Sequence, residues 1–175
     1  IWPRKSDTLQ ELFDVDNKWF WVDWIRQLPL ILPMRDGILV HAGIPTGHSQ
    51  SELFDGVRQL EQGLSGEHWQ DFLSDLLLSN ANLPSLKSLL SFLTRVRTIE
   101  KNGQPNFRFK GDLGSLPDHL RPWYESYDNR YGRIYFGHWA AHGIQKTESW
   151  LSLDSGCVWG RRLTAYSIAA DAFFS

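Results

Sequence analysis

The chain has the length and composition of one globular domain with a substantial core: 175 residues, 42% of them hydrophobic, with nine Trp and ten Phe. Eighteen Lys and Arg against 20 Asp and Glu leave a net charge of -2, which lacks the basic footprint of a general nucleic-acid or membrane-surface binder. The single cysteine, Cys157, excludes an internal disulfide framework and a zinc site built from several thiolates. It indicates a reducing compartment, and we expect the cytoplasm.

Helical periodicity predicts the first two elements, over Asp7–Phe13 and Asp16–Gln27. The apolar positions of the second recur with the period of a helix and would share one face: Trp19, Phe20, Trp24 and Leu28. Pro29 would end this helix.

Two short apolar runs follow, Leu30–Pro33 and Gly37–His41, and the Asp-Gly step between them predicts a hairpin. His41 would stand at the end of the second strand, just before Gly43. A strand fixes the direction of a side chain and a glycine leaves space beside it, so this position suits an imidazole that binds a metal. We interpret His41 as a candidate metal ligand.

Three amphipathic helices are predicted next: Ser49–Leu64, Ser65–Leu78 and Pro84–Val96. The pattern then loosens into a long loop over Thr98–Leu116, within which Phe107–Lys110 alternates like an exposed strand. Pro117–Tyr127 is predicted as a helix.

The carboxyl third is predicted to form a small sheet from three runs: Gly132–Phe136, Ser149–Leu153 and Val158–Ile168. His138 follows the first run after Gly137 and is the second candidate metal ligand. The alternative at both positions is an ordinary hydrogen-bonded histidine. His142 stands four residues later, the spacing of helical zinc sites. Because Gly143 interrupts the segment, we expect His142 in a surface loop.

Two arginines near a predicted helix end, Arg95 and Arg97, are candidate phosphate ligands, because guanidinium groups bind phosphate oxygens through two hydrogen bonds. A favourable interaction with the helix dipole explains them equally well without a ligand. Asp154 is equally well explained as an acceptor that orients a histidine or as the cap of a turn, and direct metal ligation is a weaker third interpretation. We expect Cys157 to be a small buried residue.

Five phrases, in this order, resemble the bacterial symmetrical bis(5'-nucleosyl)-tetraphosphatases of the calcineurin-like metallophosphatase superfamily. They are Leu39–Pro45, Phe92–Arg97, Leu120–Trp123, Tyr135–Ala140 and Leu153–Gly160. The resemblance reaches from about residue 8 to about residue 168. It implies a four-layer α/β/β/α metallophosphatase sandwich with a helical insertion, of which residues 1–175 would be the carboxyl-terminal portion, within a single domain.

The resemblance also implies a two-metal centre, commonly with Mn or Co, at which an activated water attacks a phosphoanhydride. The substrate would be a dinucleoside polyphosphate, and diadenosine tetraphosphate would give two ADP. By motif, His41 and His138 would bind the second metal, and Arg95 and Arg97 would hold the polyphosphate. Two cations at a separation of about 3.5–4 Å would activate the water and neutralise charge on the phosphoryl group.

Two positions depart from related patterns. Ala140 stands where many other superfamily members have a second histidine, which favours the branch shared with the phosphoprotein phosphatases, and Trp139 then separates the chain from those enzymes. Arg161 stands where the family usually has a second glycine after Trp159-Gly160, and would crowd the turn or add a positive charge.

The family's amino-terminal motifs, G-D-x-H-G, G-D-x-x-x-R-G and G-N-H-[DE], do not occur in these residues. The only methionine is Met34, the first residues lack a signal-peptide pattern, and no stretch has the roughly 20 uncharged residues of a membrane span. We therefore expect a segment of a longer active hydrolase that is inactive alone. The alternatives are an inactive nucleotide-binding half-domain and a metallophosphatase that acts on phosphoproteins.

Overall fold

The computed structural model describes residue 11, residues 14–78 and residues 84–175. Within them, the helices are α1 (Lys18–Arg26), α2 (Gln50–Ser65), α3 (Trp69–Leu78) and α4 (Pro84–Arg95). The strands are β1 (Ile31–Met34), β2 (Gly37–Val40), β3 (Thr98–Glu100), β4 (Pro105–Asn106), β5 (Leu120–Pro122), β6 (Arg133–Phe136), β7 (Gln145–Lys146), β8 (Trp150–Ser152), β9 (Ala165–Ser167) and β10 (Ala172–Phe174). The helix predicted over Asp7–Phe13 lies almost entirely outside the described residues.

The main sheet of the described chain is mixed and has the strand order β1-β2-β6-β8-β7. Strands β2, β6 and β8 run parallel, with Val40 opposite Phe136 and Phe136 opposite Ser152, while β1 and β7 pair antiparallel at the two edges. A second sheet has the order β4-β3-β5, and β9 pairs with β10. This architecture confirms the predicted α/β class.

The hairpin β1–β2 confirms the sequence prediction, although Gly37 does not lie in the loop of the turn. Met34 pairs with Gly37, so Arg35 and Asp36 form the two-residue loop. Gly37 lies in β2, where a Cβ atom would come within 1.8 Å of the Arg133 carbonyl oxygen. The glycine therefore permits the close approach of β6 rather than the turn itself.

Helices α2, α3 and α4 lie between β2 and β3 in the chain and confirm the three predicted helices. The Ser49 hydroxyl accepts from the Glu52 amide, and the Glu52 carboxylate accepts from the Ser49 amide at 2.7 Å, which completes a capping box at the start of α2. Ser65 is the last residue of α2 rather than the first of α3, because the chain becomes extended at Gly66. The helices and the sheet share one apolar core, which includes Leu53, Leu60, Leu93, Val40 and Ile134.

The predicted helix over Pro117–Tyr127 is wrong. Residues 120–122 form β5, which pairs with β3, and Trp123–Ser126 form a short 3-10 turn. Arg121 precedes Pro122, and a residue before proline is sterically disfavoured in helical backbone. The strand predicted for Phe107–Lys110 is also absent, and β4 instead ends at Asn106.

The long strand predicted over Val158–Ile168 is reduced to β9, because residues 157–159 form a 3-10 turn that ends at Gly160 with φ 76°. Helix α1 confirms the prediction over Asp16–Gln27, but its apolar side chains Trp19, Phe20 and Trp24 are each more than half exposed. In the described part of the chain, no helix is both long and apolar enough to cross a bilayer.

Candidate functional site

Three polar residues gather where the three parallel strands of the main sheet end. His41 directly follows β2, His138 follows β6 after Gly137, and Asp154 follows β8 after Leu153. The Gly137 amide donates to the His41 carbonyl at 2.9 Å, which joins the first two of these strand ends. Because parallel strands end at one edge of a sheet, residues far apart in the sequence meet there, as ligand sites in α/β sheets commonly require.

The two histidine rings face each other at this edge. Nε2 of His41 and Nδ1 of His138 are 3.1 Å apart, and the ring centroids are separated by 5.0 Å. Nε2 of His138 is buried and has no hydrogen-bond partner among the described residues. The structure thus brings together the two histidines that the sequence singles out, across 97 positions of chain.

The backbone around the pair is adapted to hold it. His138 has φ 64°, in the left-handed region that non-glycine residues rarely adopt. A Cβ atom at Gly43 would lie 2.6 Å from the ring of Trp123, so the glycine after His41 is needed for packing. Trp139, directly after His138, is buried and donates from Nε1 to the Gly111 carbonyl at 2.8 Å.

Burial disfavours the protonated form of both imidazoles. Burial lowers the pKa of His138 to about 4, and the positive charge of Arg97 and the nearby His41 add to this effect. The pKa of His41 is also lowered, mainly by desolvation of its ring, although the residue remains partly open to solvent. Asp154 opposes this shift and Arg97 reinforces it. A neutral imidazole carries a free lone pair on one of its two ring nitrogens, and that nitrogen can bind a cation.

The separation of the two nitrogens fits a shared cation. Ligand nitrogens at about 2.0–2.1 Å from one ion, at right to tetrahedral angles, lie roughly 2.8–3.4 Å apart. The 3.1 Å between the His41 and His138 nitrogens falls in this range. In the described residues, however, no cluster of three or more His, Cys, Asp and Glu side chains is placed to hold a metal. The same 3.1 Å is the distance of a hydrogen bond between the two rings, so the pair could supply at most two donors of a coordination shell.

The two candidate arginines differ in position. Arg97 is half-buried, and its Nη2 donates to the His138 carbonyl at 3.2 Å. Arg95 is exposed, and its guanidinium lies 5.1 Å from the ring centroid of Phe107. Arg97 is thus next to the histidine pair, whereas Arg95 stands further out, close enough for its charge to lower the pKa of His138.

Asp154 acts as the cap of a turn, since its Oδ1 accepts from the Gly156 amide at 2.9 Å. Its charge opposes the lowering of the pKa of both His41 and Arg97, so it influences the pair electrostatically. The turn-cap interpretation is confirmed, whereas the roles of metal ligand and of an acceptor that orients a histidine stay predictions. The expectation for Cys157 is wrong, because this residue is exposed on the turn that follows.

His142 does not lie in a surface loop as expected. It is 7% exposed, and its Nε2 and the Tyr124 hydroxyl are 2.7 Å apart. The rings of Phe136, Trp139 and Trp150 surround it, with centroids 5.2–6.3 Å away. His142 is a buried histidine with a structural partner, and sequence analysis missed both Tyr124 and Trp123 as supports of this region.

Comparisons with known proteins give one consistent name. The symmetrical bis(5'-nucleosyl)-tetraphosphatase of Janthinobacterium sp. (strain Marseille) is 30% identical over 95% of this chain and 64% of its own length. Proteins of the same name from Chromobacterium violaceum and Chromohalobacter salexigens are each 30% identical, over 98% and 97% of this chain and 66% and 67% of their own lengths. No family model matches the chain.

The fold and the site define an α/β protein with a pair of neutral imidazoles at the carboxyl edge of its parallel strands. Together with these relatives, they place the chain: it belongs to the symmetrical bis(5'-nucleosyl)-tetraphosphatase family. It spans slightly less than two thirds of the length of the first two of these relatives.

Proposed function

We propose that the full-length protein containing these residues hydrolyses a dinucleoside tetraphosphate, with diadenosine tetraphosphate as the reference substrate, to two nucleoside diphosphates. The observation that carries the proposal is the convergence of His41 Nε2 and His138 Nδ1 to 3.1 Å in a chain of this family. The reaction is the hydrolysis of one phosphoanhydride, so water supplies the oxygen that one product gains.

His41 and His138 would bind one of two divalent ions, with Mn or Co as candidates. When bound, such ions polarise the attacked phosphoryl group and lower the pKa of the attacking water. The histidines contribute by staying neutral, because protonated rings could not donate a lone pair. The remaining ligands would come from protein outside the described residues, and residues 1–175 would be the carboxyl-terminal portion of one metallophosphatase domain.

Arg97 would position the polyphosphate. Its Nη2 is fixed by the His138 carbonyl, while the rest of its guanidinium remains beside the pair as a donor for phosphate oxygens. Arg95 would add a second, more exposed positive charge along the path of the same anion. Both arginines also attract the substrate before contact, since a tetraphosphate is strongly anionic.

Incubation of the full-length protein with Mn²⁺ and diadenosine tetraphosphate, followed by chromatography of the products, tests the proposal. We expect ADP as the sole nucleotide product, in a yield of two per substrate consumed. ATP together with AMP would contradict symmetrical cleavage. Faster release of phosphate from a phosphopeptide would assign the site to phosphoproteins, and binding without turnover would leave a nucleotide-binding module.

A further inference from the structure

Two arginines, Arg161 and Arg162, are tied through their backbone groups by hydrogen bonds to Gly156 and Ser155 in the turn after β8. One cavity, of about 230 Å³, is lined by His138, Asp154, Ser155 and Thr164 among others. A second, of about 510 Å³, also has Ser155 and Thr164 in its wall. The two cavities are therefore adjacent and share the wall formed by Ser155 and Thr164.

The second cavity is lined by the charged residues Arg161 and Arg162 and by the apolar residues Ile144 and Phe173. Within the described part of the chain, no carboxylate lies within 4.0 Å of either guanidinium. The Arg161 guanidinium is instead 5.7 Å from the ring centroid of Trp159. Positive charge is thus available on one wall, and an apolar surface that suits a flat ring on another.

Hydrogen bonds hold this turn in place. The Ser155 hydroxyl donates to the Arg162 carbonyl at 2.6 Å, and the Arg161 amide donates to the Gly156 carbonyl at 3.2 Å. The stem of Arg161 covers Gly156, where a Cβ atom would lie 2.9 Å from Arg161 Cδ. The two guanidinium groups therefore project from a backbone that is fixed relative to Asp154 and the strand end.

We propose that the cavity of Arg161 and Arg162 binds one nucleoside diphosphate half of the substrate, with its phosphates on the arginines and its base against Ile144 and Phe173. This inference rests on the proposed function, in which cleavage at the histidine pair leaves two phosphates on each side. Arg161 is then a specificity residue of this chain, at a position where the family resemblance leads one to expect glycine.

The test uses the full-length protein with Arg161→Gln and Arg162→Gln, singly and together. Glutamine keeps the aliphatic stem over Gly156 and removes only the charge. Arg58→Gln is the matched control, because Arg58 is an exposed arginine on α2 that pairs with Asp55. Two quantities are measured: ADP binding by calorimetry, and KM and kcat for diadenosine tetraphosphate.

We expect the double variant to bind ADP at least about tenfold more weakly and to raise KM by a similar factor, with kcat within about twofold of the original. Arg58→Gln should change none of these. Unchanged ADP binding in a folded double variant would overturn the inference, as would a fall in kcat at constant KM. Absence of hydrolysis in the unmodified protein would refute the proposed function alone, since the ADP titration still decides whether the arginines bind a nucleotide.

Discussion

The two histidine environments of this protein lie only four residues apart and have opposite characters. His138 faces another imidazole, keeps a buried nitrogen without a partner and has a left-handed backbone. His142 is enclosed by aromatic rings and is satisfied by the Tyr124 hydroxyl. A left-handed residue whose ring nitrogen faces a second imidazole nitrogen is the better candidate for a ligand, whereas a histidine enclosed by packed rings and partnered by a hydroxyl serves packing. The surroundings of the two histidines therefore differ in a way that their spacing in the sequence does not show.

The largest expected effect follows removal of either member of the pair. His41→Ala or His138→Ala in the full-length protein should abolish binding at one metal position and lower turnover by at least roughly 100-fold, because a cation held by fewer donors dissociates. Metal content per chain and the rate of diadenosine tetraphosphate hydrolysis are the measurements. His119→Ala, an exposed histidine, is the control. Full metal content in the first two variants would contradict the ligand assignment.

His142→Ala should have the opposite effect: it should reduce the stability of the fold and leave metal content unchanged. Loss of a buried ring and of the partner of Tyr124 should lower the free energy of unfolding by about 3 kcal/mol. Tyr124→Phe removes only the hydrogen bond and should cost about 1 kcal/mol. Urea unfolding gives both values. A fall in metal content at unchanged stability would place His142 in the metal site instead.

The two candidate arginines should differ in their effect on substrate binding, with a larger effect at Arg97 than at Arg95. Arg97→Ala removes a donor held beside the pair and should raise KM about tenfold, while Arg95→Ala removes a more exposed charge and should raise it less. Steady-state kinetics measures both, and the melting temperature should change little. A large loss of stability with normal KM would show that these arginines serve the helix end and the packing.

The smallest effect concerns pH. Burial lowers the pKa of His142 below its usual 6.5, so on acidification the unfolded chain takes up a proton that the folded chain does not. Stability should therefore fall as pH decreases through about 6.5, with His41 and His138 contributing in the same direction. His142→Gln should flatten this dependence between pH 7.5 and 5.5 in urea titrations. An unchanged slope would show that His142 does not take part.

Periodicity predicts the parts of the fold that local forces dominate. The capping residues of α2 and the continuous apolar run of β6 each lie within a few positions of the chain, so they could be recognised without knowledge of the fold. Short strands such as β3 and β5 depend instead on pairing between residues 20 to 24 positions apart, and neither strand carries enough local signal. Likewise, α1 shows helical periodicity although its apolar side chains stay exposed, since periodicity does not specify what covers a face.

The two histidines of the candidate site could be predicted, because each lies at the end of a strand. The residues around them were harder to predict, because they come from distant parts of the chain. His41 and His138 could be named because each follows an apolar run. The contact of Arg97 with the His138 carbonyl, and the aromatic enclosure of His142, arise only when distant segments pack together. No spacing rule contains that information.

The left-handed backbone at His138 matters for any attempt to raise the thermal stability of this protein. Glycine would relieve a conformational cost of roughly 1–2 kcal/mol at that position, and it would delete the imidazole at the same time. Selection for thermal stability alone would therefore favour glycine at this position and remove the candidate ligand. A selection that also requires substrate turnover would retain the histidine.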